Sequence, residues 1–449
     1  MTLRALAFLV LLIFLMGSGW SSLSAQTAQT PASTLSAFSM PSVTTVPAGA
    51  QASPDFNAET ATDAYLAQIP AASKARSDAY FEGGYWLILW DFLYGVVIAV
   101  LLLNLRWSAA MRDFAERIIR FKPLQTFVYW VEYLLLTSVL GFPLAVYEGY
   151  FRERKYGLAT QTLGPWMGDQ LKGLAIGLIL GGIIVVVLFA LVRRLSRTWW
   201  IWGAIVTMAF ATFVALIAPV YLIPVFNKVT PLNDPKITAP ILRMARANDI
   251  PAKNVYEIDA SKQSNRMSAN VSGLGSTLRI TMNDNLLRRG SPEEIQSVMG
   301  HEMGHYVLNH VYKGLEFFLI VIVVGFALLR WSLEWSLARW GQKWRIRGIG
   351  DPAVLPLVAL LGSIFFFVLT PVMNTVTRTM EHEADMFGLN ASRQPDGFAQ
   401  AAIHLGEYRK MKPGPGEEWI FFDHPSGYNR IHDAMRWKAE NLRLPEPDR

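Results

Sequence analysis

The sequence predicts a mainly α-helical, polytopic membrane protein that also carries a polar domain of mixed α and β structure. Of its 449 residues, 52% are hydrophobic and 17% are charged, whereas ordinary globular domains are about 25% charged. The hydrophobic residues are gathered into long runs, each close to the roughly 20 residues that cross a bilayer as a helix. The runs lie at 86–105, 127–147, 171–192, 201–225, 315–331 and 353–376.

The first 25 residues are expected to be an export signal peptide or a first membrane helix. Arg4 gives a basic start, residues 6–16 are apolar, and small residues precede a cleavage site after Ala25. Residues 26–60 are rich in Ala, Thr, Ser, Pro and Gln without apolar periodicity, which predicts a disordered or loosely held segment. The expected divisions are a signal or first helix (1–25), a low-complexity extracytoplasmic segment (26–85), a four-span membrane domain (86–225), the two parts of a polar domain (226–314 and 377–449), and two further spans between those parts (315–376).

The orientation in the membrane is predicted from the basic residues of the loops. With six spans, the Arg- and Lys-rich segments 106–126, 193–200 and 330–352 fall on one side, which should be the cytoplasmic side. The polar domain then lies outside, in agreement with an export signal. We therefore expect an integral protein of a bacterial inner membrane with the polar domain on the periplasmic side. Topology also explains the formal charge of +6, so we do not expect nucleic acid as a partner.

The chemistry is predicted by a short helical motif in the first part of the polar domain. A capping box of Ser291 with Glu294 indicates a helix start, and His301, Glu302 and His305 follow in the pattern H-E-x-x-H. Histidines four residues apart share a helix face, so both imidazoles can bind one zinc ion. Glu302 is placed to take a proton from the attacking water. Because the chain has no cysteine, any metal must be held by histidines and carboxylates.

The third zinc ligand is expected from residues 378–385, directly after the last apolar run. Glu381 and Asp385 are four residues apart and share a helix face. This spacing suggests that Glu381 binds zinc while Asp385 hydrogen-bonds a ligating histidine. Spacing alone leaves His382 and Glu383 open as ligands.

These motifs resemble those of the integral-membrane CAAX prenyl proteases of the type I zinc metallopeptidase family, whose site is of the gluzincin type. The family fold is a ring of seven membrane helices around a large water-filled chamber, roofed by the zinc domain. The resemblance therefore implies six or seven spans around a chamber with a zincin-like α+β metalloprotease domain. Residues from about 80 to 437 carry it, through Glu153 to Gly157, Gln161 to Gly164, Pro224 to Lys228, Thr230 to Leu232, His301 to His305 with His310, Arg378, Glu381 to Asp385, His424-Pro425 and Arg430-Ile431.

The resemblance also implies roles for the site residues. One zinc ion per chain would be held by His301, His305 and Glu381, with Glu302 as the base. Asp385 would support a ligating histidine. By the same resemblance, His424 and Arg430 would contact the substrate and the oxyanion.

A strand facing the site is expected to bind the substrate through Ser268, Ala269 and Asn270, with the peptide added as a further strand. The family usually has Asn-Ala, an aromatic residue and then Gly here, whereas this chain reads Ser-Ala-Asn-Val-Ser-Gly at 268–273. His310 matches a family histidine without an assigned mechanism. We expect His404 and His432 to be ordinary helix-surface residues.

The predicted function is zinc-dependent hydrolysis of peptide bonds in membrane-associated, misfolded or exported proteins, a role in protein quality control. The partners are then a peptide or protein substrate and the lipid bilayer. One alternative is CAAX-type processing of lipidated proteins, which an outward-facing site does not suit. The other is a non-enzymatic membrane protein, such as a transporter or a non-catalytic metal-binding scaffold. Transport sites need more ionisable residues within the spans than Asp91 and Glu132, and Glu302 would be idle in a purely structural site.

Overall fold

The computed structural model describes residues 45–272 and 278–441. The expected signal segment at 1–25 lies outside these residues, as does any seventh span that it would form. Within the described residues, six helical segments are long and apolar enough to cross a membrane. They are Ala71–Asn104, Lys122–Lys155, Leu163–Arg194, Trp199–Phe226, His310–Trp344 and Pro352–Ser392.

The α-helices are numbered here in chain order. Short π-helical turns join α4 to α5, α6 to α7 and α8 to α9. The helices are α1 (Ala58–Leu66), α2 (Ala71–Asn104), α3 (Trp107–Ile118), α4 (Lys122–Val146), α5 (Glu153–Lys155), α6 (Leu163–Ile176), α7 (Gly182–Arg194), α8 (Trp199–Ile217), α9 (Ile223–Phe226), α10 (Pro235–Ala247), α11 (Asp284–Arg289), α12 (Pro292–Val307), α13 (His310–Trp344), α14 (Leu355–Ser392), α15 (Pro395–Leu405), α16 (Pro415–Phe421) and α17 (Gly427–Asn441).

The six spans form a closed ring. In ring order, α2 packs on α4, α4 on α7, α7 on α8, α8 on α13, α13 on α14, and α14 returns to α2. Large apolar side chains on the spans stay exposed, among them Val139 at 70% and Val368 at 72%. Exposed apolar surface of this extent fits helices that face lipid.

Two spans are longer than their apolar runs because their polar ends belong to the polar domain. α2 begins at Ala71 rather than near residue 86, and Tyr85 on its first half donates a hydrogen bond to Glu417. α14 continues past residue 376 to Ser392 as one helix, so Glu381 lies on the last span itself. An apolar run ends at the first charged residues, whereas the helix continues through them.

The expectation of disorder at 26–60 is wrong for the part that the structure describes. α1 starts at Ala58, where the side chain of Asn57 caps its first turn, and Tyr65 is fully buried. Tyr65 packs with the C-terminal helix α17 in one hydrophobic cluster, and its hydroxyl donates to Asp396. The partner is distant in sequence, so local composition gave no sign of it.

The polar domain is built on a four-stranded sheet under α12. The strands are β1 (Val229–Pro231), β2 (Val255–Ile258), β3 (Ala269–Ser272) and β4 (Arg279–Asn283). Their order is β1-β2-β4-β3, with β2 parallel to β4 and the other pairs antiparallel. β3 is therefore an edge strand of the sheet. The predicted capping box of Ser291 and Glu294 is confirmed, and Met299 and Met303 bury one face of α12 on the sheet.

His404 is not the surface residue that was expected. It is 4% exposed on α15, and its Nδ1 lies 2.7 Å from Oε1 of the capping residue Glu294. Close packing explains the burial, because a Cβ on Gly397 of α15 would stand 2.6 Å from the backbone of Glu293. α15 is thus fixed against the start of α12.

Candidate metal centre

Small residues let α12 and α14 cross in backbone contact. A Cβ on Gly300 would stand 2.9 Å from the carbonyl oxygen of Gly388, and a Cβ on Gly304 would stand 3.1 Å from Cα of Ala384. Side chains at these positions would hold the helices apart. The close crossing delivers Glu381 from α14 to the histidines of α12.

Three potential ligand side chains converge at the crossing. The His301 and His305 Nε2 atoms are 3.2 Å apart. His301 Nε2 lies 3.2 Å from Glu381 Oε2, and His305 Nε2 lies 3.5 Å from Glu381 Oε1. Ligands at about 2.0–2.1 Å from a tetrahedral zinc ion are separated by about 3.3 Å. The observed separations match that value.

The burial of the Glu381 carboxylate also fits the role of a metal ligand. Glu381 is 1% exposed, and among the described residues its Oε2 atom has no hydrogen bond of acceptable geometry. A buried oxygen without a partner is costly unless something else binds it. A cavity adjoins the three side chains and leaves space for a fourth ligand. Two imidazoles and one carboxylate with such an open position form the donor set of a catalytic zinc site.

Asp385 fixes the orientation of His301. The His301 Nδ1 donates to Asp385 Oδ1 at 2.7 Å, which leaves Nε2 facing Glu381. Burial alone would lower the pKa of His301, but the hydrogen bond and charge of Asp385, with the charge of Glu381, raise it to about 10. A carboxylate on the far side of a ligating imidazole sets its tautomer and strengthens it as a ligand.

Arg430 binds Asp385 through two hydrogen bonds. Its Nε donates to Asp385 Oδ2 at 2.9 Å and its Nη2 to Oδ1 at 2.5 Å. The guanidinium is buried, although one side reaches the cavity wall. Arg430, Asp385 and His301 thus form a hydrogen-bonded chain, and the oxyanion contact expected for Arg430 stays a prediction.

Glu302 is half-buried on the wall of the cavity above the ligands. Burial raises the pKa of its carboxyl to about 7, although the imidazoles of His301 and His305 oppose the shift. A carboxyl with a pKa near 7 can both accept and return a proton at neutral pH.

His424 lies beside the cluster, on the loop between α16 and α17. Its Nε2 is 3.2 Å from Glu381 Oε2, and its Nδ1 is 2.7 Å from Asp423 Oδ1. The neighbouring imidazole lowers the pKa of the exposed Asp423 carboxyl. The structure thus brings His424 to the centre, as expected.

Sequence reasoning missed the partners of the second histidine. The Nδ1 atoms of His305 and His310 are 2.9 Å apart, and Nε2 of His310 is 3.0 Å from Oε2 of Glu383. Asn309 adopts a left-handed conformation with φ 58°, so the chain turns between α12 and α13 and His310 folds back. The sequence signal for this contact was Asn309, which breaks the helix directly before His310.

The two residues that spacing left open as ligands lie away from the cluster. Glu383 binds His310 and accepts a hydrogen bond from Lys313 Nζ at 2.7 Å. The His382 side chain is 51% exposed and lies 3.4 Å from Asp433.

The cavity has a volume of about 840 Å³ and opens along the edge strand. Ser268, Ala269 and Asn270 all line it, together with Glu302. The residues just past β3, 273–277, lie outside the described part of the chain.

A half-buried ion pair ties the start of β3 to the membrane helices. Arg266 lies 2.8 Å from Glu153 Oε2 and donates to the hydroxyl of Tyr80 at 2.5 Å. Tyr80 in turn donates to Glu153 Oε1 at 2.6 Å. The motif around Glu153 therefore anchors the edge strand to α2 and α5.

Together these features place the protein among the integral-membrane metallopeptidases. Comparison with known proteins then gives the family. Residues 231–438 match the model of peptidase family M48, and residues 57–228 match the model described as "CAAX prenyl protease N-terminal, five membrane helices". The chain belongs to peptidase family M48 and is a zinc metalloendopeptidase of the membrane.

Relatives and a solved structure agree with this assignment. The "Uncharacterized metalloprotease YhfN" of Bacillus subtilis is 33% identical over 336 residues, which are 74% of this chain and 78% of the relative. CAAX prenyl protease 1 of Saccharomyces cerevisiae is 28% identical over 66% of this chain and 69% of its own. The crystal structure of S. mikatae Ste24p superposes with a TM-score of 0.69 over 97% of both chains at 19% identity, which establishes the common fold.

Proposed function

We propose that His301, His305 and Glu381 bind one zinc ion per chain and that Glu302 is the general base of peptide-bond hydrolysis. The observation that carries this proposal is the triangle of ligand groups formed by the two imidazoles and the Glu381 carboxylate, whose facing atoms are 3.2, 3.2 and 3.5 Å apart. Its side lengths suit a tetrahedral zinc ion.

The residues around the metal divide the chemical work. A bound zinc ion polarises the scissile carbonyl and lowers the pKa of water. Glu302 accepts the proton of the attacking water and returns it to the leaving amine. His424 stabilises the negative charge that develops on the carbonyl oxygen. Arg430 and Asp385 hold His301 in the tautomer that leaves Nε2 free.

The substrate is an extended peptide that pairs with the free edge of β3. Ser268, Ala269 and Asn270 lie on the cavity wall near Glu302, which supports binding by strand addition. A folded domain cannot present such a strand, so the site selects unfolded or loosely structured segments.

The physiological substrates are membrane-associated, misfolded or exported proteins, a quality-control role at a bacterial inner membrane. The support is topological. The basic loops meet on the side of the ring away from the polar domain that holds the metal centre, here called the zinc domain. There Arg112 pairs with Asp351 at 2.5 Å, and Arg193 donates to the carbonyl of Gly350. Basic loops mark the cytoplasmic side, so the zinc domain is periplasmic and residues 1–25 act in export.

The second candidate function is CAAX-type processing of lipidated proteins. It is favoured by the names of the relatives, among them CAAX prenyl protease 1 of Saccharomyces cerevisiae. This candidate requires the zinc domain to face the cytoplasm.

A cysteine-accessibility experiment separates the two candidates, because the chain has no cysteine of its own. Lys253→Cys reports the exposed surface of the zinc domain, and Arg117→Cys reports the opposite loop. With a membrane-impermeant maleimide on spheroplasts, we expect labelling at 253 alone until the membrane is broken. Labelling at 117 alone would support the cytoplasmic candidate.

Reconstituted protein then tests the chemistry on both substrates. We expect cleavage of an unfolded reporter peptide, and no preference for a farnesylated C-terminal peptide over its unmodified form. Glu302→Gln is the matched control, and it should abolish cleavage of either peptide. A strong preference for the farnesylated peptide would overturn the quality-control proposal.

A further inference from the structure

A second pocket, remote from the metal centre, lies where two spans meet the sheet. It has a volume of about 610 Å³ and is lined by residues of α6, α9, β1 and β4 and by Lys262. Its polar lining is basic: Lys172, Lys228, Lys262 and Arg279 all face it. Nothing in the proposed hydrolysis uses these four side chains.

The pocket lies at the surface of the membrane. Lys172 directly precedes the uncharged run 173–192, and Lys228 directly follows the uncharged run 198–227. These two lysines are therefore the first charges at one boundary of two neighbouring spans. The Lys172 Nζ lies 5.8 Å from the ring centroid of Phe226, so the two span ends are in contact there.

Positive charge exceeds negative charge in the pocket. Lys172 and Lys262 each lie 3.1 Å from a carboxylate, Asp169 and Asp259 respectively. In the described part of the chain, Lys228 and Arg279 have no ion pair. Two of the four cations are thus without an anionic partner at the level of lipid headgroups.

Apolar surface adjoins these cations. Val225 is 44% exposed and Tyr221, one helical turn earlier, is 68% exposed. A ligand suited to this site carries an anionic group for the lysines and arginine and an apolar part that runs down the spans. A phosphodiester with acyl chains has both properties, and guanidinium and ammonium groups bind phosphate well.

We propose that this pocket binds the headgroup of an anionic glycerophospholipid from the leaflet on the zinc-domain side. The bound lipid holds β1 and β4 against the ends of α6 and α9. It thereby fixes the height of the zinc domain above the membrane.

The test is a lipid titration of the purified full chain by native mass spectrometry. Phosphatidylglycerol should bind the wild-type protein more tightly than phosphatidylcholine. One basic residue near an anionic lipid contributes about fivefold to binding, so the variant Lys228→Gln/Arg279→Gln should bind phosphatidylglycerol about 30-fold more weakly. The control Arg243→Gln/Lys253→Gln removes the same charge from exposed positions of the same domain and should bind normally.

Two further arms keep the result decisive. Lys172→Gln changes the membrane side of the pocket and should weaken binding about fivefold, so the proposal can be tested even if the double variant misfolds. Inorganic phosphate at millimolar concentration should not displace the lipid, whereas displacement would mean a site for small anions. Equal binding of phosphatidylglycerol by wild type and both pocket variants would overturn the proposal.

Discussion

Gly388 of α14 lies against the backbone of His301 on α12, and a Cβ built on Gly388 would stand 2.6 Å from the His301 nitrogen. Real Cβ atoms do not approach so closely, so any larger residue must push the two helices apart. The positions of His301 and Glu381 relative to one another therefore depend on a glycine that touches no substrate and binds no metal.

Gly388→Ala is expected to impair the metal centre. Relief of the clash separates α12 from α14, at a cost of about 1–3 kcal/mol in stability, and it widens the ligand triangle. Zinc content and melting temperature of the purified protein measure the effect. Gly168→Ala is the matched control, because a Cβ there meets nothing within 4 Å. If Gly388→Ala retains full zinc content and wild-type stability, the close crossing is not required.

His310→Ala and Glu383→Gln should each weaken zinc binding. His310 supports His305 from its Nδ1 side and Glu383 supports His310, and loss of such a partner typically lowers metal affinity about 10–100-fold. Competition with a chelator of known affinity measures the change. His432→Ala, on α17 and stacked on Tyr428, serves as the control and should leave affinity unchanged.

Arg430→Gln distinguishes two roles for this arginine. If Arg430 acts through Asp385, its loss should lower zinc affinity together with kcat. An arginine that only contacted the oxyanion would lower kcat and leave zinc affinity as it was. Zinc competition and steady-state kinetics on one preparation give both values. An unchanged zinc affinity would favour the oxyanion role over action through Asp385.

Zinc affinity should rise with pH across the neutral range. His301 in the metal-free protein is protonated below its pKa of about 10, and zinc must displace that proton from Nε2. Release of one proton corresponds to about tenfold in affinity per pH unit. Chelator competition between roughly pH 6 and pH 8 measures this slope. A flat profile would show that His301 is already neutral before zinc binds.

Much of the metal centre follows from short-range sequence patterns. The capping box of Ser291 fixed the start of α12, and the four-residue spacing put His301 and His305 on one face. The same spacing put Glu381 and Asp385 on one face of α14, although it left His382 and Glu383 open as ligands. In each case the relevant geometry is set within a few turns of a single helix.

Other features depend on contacts between distant segments, which local patterns do not contain. Spacing left Glu383 open as a third ligand, whereas the turn at Asn309 brings His310 to it. Burial of His404 depends on the approach of α15 to α12, and the order of α1 depends on a C-terminal helix. Closure of α14 on α2 leaves no trace in hydropathy, so the ring followed from the family resemblance and not from the apolar runs.

The most direct test of the central claim is the zinc content of three purified proteins: wild type, Glu302→Gln and Glu381→Ala. We predict about one zinc ion per chain in wild type and the same content in an inactive Glu302→Gln protein. Glu381→Ala should lose its zinc on dialysis while remaining folded. Full zinc occupancy in Glu381→Ala, or none in wild type, would contradict the ligand triangle on which the mechanism rests.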